Sequence, residues 1–201
     1  MSKAVLISIR PQWCQKIASS EKTIEVRKTK PKLETPFKCY IYCTRDKHLA
    51  FMQNQTGTNL IACMNAETAI PVGGAIGNGK VIGEFVCDCV TPLYNVCMDD
   101  WKRLVGGLHN VEKELVNQAC LTEAKLHTYA GGKNCFAWHI SDLLIYDQPR
   151  ELTAFRRACK NSWYCESCAM YWENNGTCGN ESLYIKRPPQ SWCYVEAMKD
   201  E

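Results

Sequence analysis

Apolar and polar residues alternate with a period of two over residues 4–9, where Val5, Ile7 and Ile9 fall on one side and Leu6, Ser8 and Arg10 on the other, so the spacing predicts a first strand. Pro11 then opens a helix, because proline is tolerated at a first helical position. Trp13, Cys14 and Ile17 give that helix an apolar stripe before Ser19 and Ser20 end it. Period two returns at once over residues 23–27, with Thr23, Glu25 and Arg27 on one face and Ile24 and Val26 on the other. Further strands are predicted over residues 37–44, 80–90, 136–146 and 191–196, and Gly83 marks a bulge or tight bend inside the second of these. Helical spacing appears in a short segment capped by Asp99 and Asp100, over residues 111–119, and from Thr122 to a stop at Gly131 and Gly132.

Between the second-face strand and the next one, residues 28–36 contain several lysines and two prolines, which keep them out of regular structure and make them the most basic local surface. From residue 45 to 78 the pattern decays into Asn, Gln, Thr and Gly, and reads as an insertion or mobile loop. Five or six strands with helices inserted between them, and no βαβ regularity, predict an α+β chain built on a small mixed or antiparallel β-barrel. No phosphate-binding glycine loop, serine elbow or His-Glu-x-x-His motif is present.

Composition narrows the setting. The chain has 201 residues, 24 basic and 21 acidic, a net charge of +3 that permits nucleic-acid binding without demanding it. No apolar run reaches the roughly 18–20 residues that span a bilayer, and the opening residues lack the apolar block of a signal peptide, so a cytoplasmic protein away from the membrane is expected. Fourteen cysteines then need an account other than disulfides. Cys39, Cys43, Cys87, Cys89, Cys97 and Cys135 stand in apolar or strand-like runs, where a free thiol is a small hydrophobe. Cys159, Cys165, Cys168 and Cys178 crowd one polar, aromatic segment around a Cys-x-x-Cys knuckle, a pattern open to a structural zinc site, to free or redox-active thiols, or to disulfides.

The candidate chemistry lies in residues 22–27. A strand there puts the Glu25 carboxylate and the Arg27 guanidinium on one surface, with Lys22 leaning over it from the strand entrance. The arrangement reads either as a polar pocket or as an edge strand decorated with charge against aggregation. Glu84 is read first as an outward-facing strand residue, and His139 as a hydrogen-bonded strand histidine.

The succession Ser8-Ile9-Arg10-Pro11, a short helix, and Glu21-Lys22-Thr23-Ile24-Glu25-Val26-Arg27 resembles the N-terminal signature of the ASCH domain superfamily, which has a PUA-like β-barrel fold. The strands at Gly79-Lys80-Val81-Ile82-Gly83-Glu84-Phe85 and Trp138-His139-Ile140-Ser141 fit the same template, so the resemblance covers about residues 3–150. The cysteine segment and the Arg187-Pro188-Pro189-Gln190-Ser191-Trp192-Cys193 end resemble a tail on bacterial and phage-encoded members. The division implied is an ASCH domain over residues 1–152 and a cysteine-rich extension over 153–201 that packs on the barrel.

The resemblance implies a cleft that accepts RNA or a modified nucleotide. Lys22, Glu25 and Arg27 line it by position, and Ser8, Arg10, Thr23 and His139 are neighbours. Trp138 or Tyr40 is a candidate stacking platform for an unpaired base. A protein ligand for the cleft stays open. The alternative is a hydrolase of RNA or of a modified nucleoside, working through Lys22 and Glu25. The acetylcytidine amidohydrolase branch of the superfamily uses a lysine, a threonine two residues before the arginine, and a glutamate. Here Lys22 matches, but Glu25 stands in the threonine position, and Glu84 is a guess for the missing glutamate.

Overall fold

The computed structural model describes residues 3–54, 62–65, 74–94, 110–159, 168–173 and 178–198. The chain is α+β. Its main sheet holds β1 (Lys3–Ile9), β3 (Phe37–Cys43), β7 (Val81–Cys87), β10 (Ser141–Arg150) and β11 (Trp192–Glu196), in the order β10-β7-β3-β1-β11. β1 runs parallel to β3 and antiparallel to β11; the other pairs are antiparallel. A second sheet contains β2 (Ile24–Arg27), β9 (Cys135–His139) and β8 (Val90–Tyr94), with β9 in the middle. The described strands therefore form open sheets, and no closed ring of paired strands is found among them.

The two sheets are continuous through a corner. The predicted strand over residues 80–90 divides into β7 and β8, and that over 136–146 divides into β9 and β10, one half of each in each sheet. His139 N–H donates to the Cys89 carbonyl at 2.9 Å where the chains turn, and Asp142 adopts a positive φ of 45° just beyond. Sequence alternation runs straight through such a corner because both halves still have one buried side.

The main sheet is buried on both faces. Val5, Ile7, Ile9, Cys39, Ile41, Phe85 and Cys87 meet Cys14 and Ile17 of helix α1 (Pro11–Ala18) and Trp138 of β9. On the reverse face Ala4, Leu6, Tyr40, Tyr42 and Val81 are covered by Phe155 and Ile185. Phe155 and Ile185 thus roof one face of the sheet ahead of β11, and an Arg156–Glu196 ion pair ties this roof to that strand. Tyr40 lies edge-on to Phe155 with centroids 4.9 Å apart, and its hydroxyl accepts from Met198 N–H at 2.7 Å.

Residues 45–78 are not without structure. β4 (Leu49–Asn54), β5 (Ala62–Asn65) and β6 (Gly74–Ile76) make a third sheet, in the order β5-β4-β6. Phe51 anchors it by inserting into the core beside Ile82, and Asn78 pins it by accepting from Phe51 N–H at 2.7 Å and donating to Leu49 carbonyl at 2.8 Å. These strands escape a periodicity reading because they are short, and their partners are one another across residues of polar composition. The helix predicted at Asp99 lies outside the described residues. Helices α2 (Asn110–Gln118) and α3 (Glu123–Ala130) form as the spacing predicts. The Thr122 side chain caps α3 by accepting from Lys125 N–H, and Gly131 closes it in the left-handed conformation, φ 54°.

Candidate functional site

The site occupies the seam between β2, an edge strand, and the β1–β11 edge of the main sheet. Helix α1 delivers the chain to it. Ser20 ends the helix with a φ of 60°, and Lys22 N–H returns to the Lys16 carbonyl at 2.9 Å, which reverses the chain and drops Lys22 at the start of β2. All four residues of β2 are buried, so the charges at positions 22, 25 and 27 do not decorate a wet edge. Lys22, Glu25 and Arg27 are 3%, 7% and 8% exposed.

Burial of three ions demands partners, and each has them. Lys22 Nζ donates to the Ile24 carbonyl at 2.7 Å and to the Ala119 carbonyl at 2.9 Å, the latter left over at the C-terminal end of α2. It lies 3.4 Å from Glu25 Oε2 and 5.3 Å from the centroid of the Trp13 ring. Glu25 Oε1 lies 3.0 Å from Arg27 Nε. Arg27 then spans the seam, with one terminal nitrogen donating to the Ser8 carbonyl on β1 at 2.6 Å and the other to Ser191 Oγ at 3.3 Å. Ser8 fixes the far wall, because its hydroxyl donates to the Pro189 carbonyl at 2.6 Å and its N–H to the Ser191 carbonyl at 2.9 Å.

Above this row opens a cavity of about 500 Å³, lined by Ser8, Arg10, Trp13, Lys22, Glu25 and Arg27, and by Lys125 and Tyr129 of α3. Its floor carries two cations and one anion, a local charge of +1. Arg27 Nε is fully buried against the Glu25 carboxylate. Arg10 and Lys125 stand exposed at the mouth.

The structure brings together Ser8, Arg10, Lys22, Glu25 and Arg27 of the expected set. Thr23 and His139 do not join them. Thr23 is spent on the backbone, donating its N–H to the Gln118 carbonyl at 3.1 Å, and is not among the cavity residues. His139 sits at the corner between the sheets, its Nδ1 2.6 Å from Asp88 Oδ1. Neither stacking candidate faces the cavity. Trp138 is fully buried between Phe37 and Trp192, and Tyr40 belongs to the opposite face of the main sheet. Glu84 is also elsewhere, paired to Lys38 at 3.0 Å and accepting from the Tyr146 hydroxyl at 2.5 Å. The aromatic residues at the cavity are instead Trp13 and Tyr129, both read as parts of helices from sequence.

Cys159, Cys168 and Cys178 are described and Cys165 lies outside the described residues; among those described, no cluster of three or more His, Cys, Asp or Glu side chains stands close enough to hold a metal. No described helix is long and apolar enough to cross a membrane.

No protein-family model matches the chain, and no curated protein does. Among solved structures it is similar to the crystal structure of ASCH from Zymomonas mobilis, at 18% identity over 96% of this chain and 87% of that one, with a TM-score of 0.44. It is similar also to a tyrosine-to-phenylalanine mutant of that protein, at 18% identity over 97% and 91% of the two chains with a TM-score of 0.45, and to a serine-to-alanine mutant, at 17% identity over 96% and 88% with a TM-score of 0.45.

Proposed function

We propose that this protein is a PUA-like, ASCH-type binding module whose seam cavity takes one nucleotide unit of RNA, or a modified nucleotide. The observation that carries the reading is the buried Lys22–Glu25–Arg27 row on the floor of a 500 Å³ cavity. A cavity of that size is in the range of small-ligand sites. Its floor offers a guanidinium for a carbonyl or ring-nitrogen acceptor and a carboxylate for an exocyclic amine, which is the donor–acceptor mixture of a base edge. Trp13 and Tyr129 supply ring faces, and Arg10 and Lys125 meet phosphate at the mouth. The sequence resemblance to ASCH domains points the same way.

Hydrolysis through Lys22 has less support from this geometry. Two of the lysine's N–H directions are spent on the Ile24 and Ala119 carbonyls and the third is left to Glu25, so no lone pair faces the cavity. The one serine hydroxyl on the wall, Ser8, donates to Pro189 rather than to a base.

The test is fluorescence anisotropy with a labelled six-nucleotide single-stranded RNA at 50 and 200 mM salt, on the intact protein and on the double variant Arg10→Ala, Lys125→Ala. Both side chains are exposed, so the variant keeps the fold. Binding that falls with salt, with a log–log slope reduced by about 1.4 when the two cations are lost, is the expected result. A folded protein that fails to bind at 50 mM salt overturns the reading.

A further inference from the structure

The side of the molecule next to the cavity carries a row of lysines and half-buried aromatic rings. Lys28 Nζ lies 5.2 Å from the centroid of Tyr129, a cavity residue, and Lys30 Nζ lies 5.7 Å from the centroid of Phe136, the register partner of Arg27. The row therefore begins at the cavity wall. Other contacts hold the loop that bears these lysines. Trp192 Nε1 donates to Thr29 Oγ1 at 3.0 Å, Lys32 N–H donates to the Tyr194 hydroxyl at 2.7 Å, and Trp192 and Tyr194 pack edge-on at 5.3 Å. The lysine ammoniums are not needed for that anchoring. Among the described residues, Lys28, Lys30 and Lys32 make no ion pair with a carboxylate.

A lysine resting on an aromatic face is held by a weak contact at an exposed site. A stacked base can replace it on the ring while the ammonium moves to the adjoining phosphate, so each lysine–ring pair suits a base and its phosphate together. In a duplex the base faces that such rings need are covered by neighbouring base pairs, which favours a single strand over a duplex. We infer that residues 28–32 with the rings of Tyr129 and Phe136 form a track for single-stranded RNA leading out of the cavity, so that the ligand is a polynucleotide rather than a free nucleotide. The inference rests on the cavity taking a nucleotide unit.

Length dependence tests it. The four ribonucleoside 5′-monophosphates and the four labelled homohexamers are titrated into the full chain and into Lys30→Gln and Phe136→Leu, with thermal melting to establish that both variants are folded. Lys30 is exposed, and leucine keeps most of the apolar bulk at position 136 while removing the stacking face. At least one hexamer is expected to bind tenfold or more tighter than its monophosphate. Lys30→Gln should reduce the hexamer's salt slope by about 0.7, and Phe136→Leu should weaken the hexamer by roughly fivefold or more. Neither variant should alter monophosphate binding, a split that loss of packing alone would not produce. Equal affinity for monophosphate and hexamer, or a hexamer indifferent to both substitutions, overturns the track and leaves the cavity reading in place. Failure of every probe removes both.

Discussion

Replacing Glu25 by glutamine removes the one negative charge from the buried row and leaves its shape intact. Glu25 stands 3.4 Å from Lys22 Nζ and 3.0 Å from Arg27 Nε, and each contact is worth about 5 kcal/mol of Coulomb attraction at an effective dielectric of about 20. Desolvation of the three ions offsets much of that, so the intact row is close to neutral in its net contribution. The variant has no such balance. Two cations, 3% and 8% exposed, remain in the seam with carbonyl and hydroxyl partners but no carboxylate. Breaking a buried pair in this way costs about 3–5 kcal/mol, which for a chain of this size lowers the melting temperature by roughly 6–20 °C. Thermal unfolding followed by circular dichroism reads the change directly. The companion variant Lys22→Met, Glu25→Gln removes one cation with the anion, and should recover at least half of the loss, because methionine fills the space over Trp13 without a charge to solvate. A Glu25→Gln protein that melts within about 2 °C of the parent refutes the reasoning, since the carboxylate would then not be what balances the seam.

Gly83→Ala should destabilise by about 2 kcal/mol or more in urea unfolding, because a Cβ there would stand 2.4 Å from the Leu144 carbonyl oxygen of the paired strand, and backbone cannot step aside as a side chain can. Burial raises the thiols of Cys14, Cys39 and Cys87, the last to about 12, so these three should stay unlabelled by a thiol reagent at pH 8 until denaturant is added, while exposed Cys89 reacts at once. The sign of the linkage follows. Thiols held protonated in the fold contribute stability that is intact below the ordinary thiol range and is lost as pH rises above about 9, so unfolding should become easier from pH 9 to 11; a flat profile would contradict it. For the tail we propose one structural zinc per chain on Cys159, Cys165, Cys168 and Cys178, to be read by elemental analysis; a fully metal-free preparation with an unchanged melting curve would dismiss the zinc.

The first three elements were legible because each has one dominant period. β1 and β2 alternate, α1 repeats its apolar residues at helical spacing, and Pro11 and Ser19-Ser20 punctuate them. From these alone Glu25 and Arg27 fall on one side, and Lys22 beside them. What the pattern could not contain is the third dimension of the same residues. Tyr40 has the type of a stacking residue, yet with Tyr42 it is covered by a segment more than a hundred residues later. Trp138 has the type of a stacking residue, and the corner between β9 and β10 turns it into the core. Trp13 and Tyr129 were hidden by their helices, since an aromatic residue at helical spacing looks like packing whether it meets a leucine or an ammonium. Gln190 on the cavity wall and Ser191, which holds Arg27, come from the far end of the chain, where nothing local links them to residue 27.

That long-range wall bears on how the cavity would bind. Arg27 is held by β1 through Ser8 and by the approach to β11 through Ser191, two strands that are themselves paired in the main sheet. Glu25 is fixed between Lys22 and Arg27, and Lys22 is fixed by two carbonyls from different elements. Every charged group on the floor is therefore oriented by the fold before a ligand arrives, and its side-chain entropy has been given up during folding rather than at binding. Lys28, Lys30, Arg10 and Lys125 differ in kind, since among the described residues they are tethered by weak ring contacts or by none that fix the ammonium or guanidinium in place. The division follows from burial alone: the preset floor is where discrimination between one base edge and another would arise, and the adjustable cations at the mouth and along residues 28–32 are where affinity would depend on salt and on length.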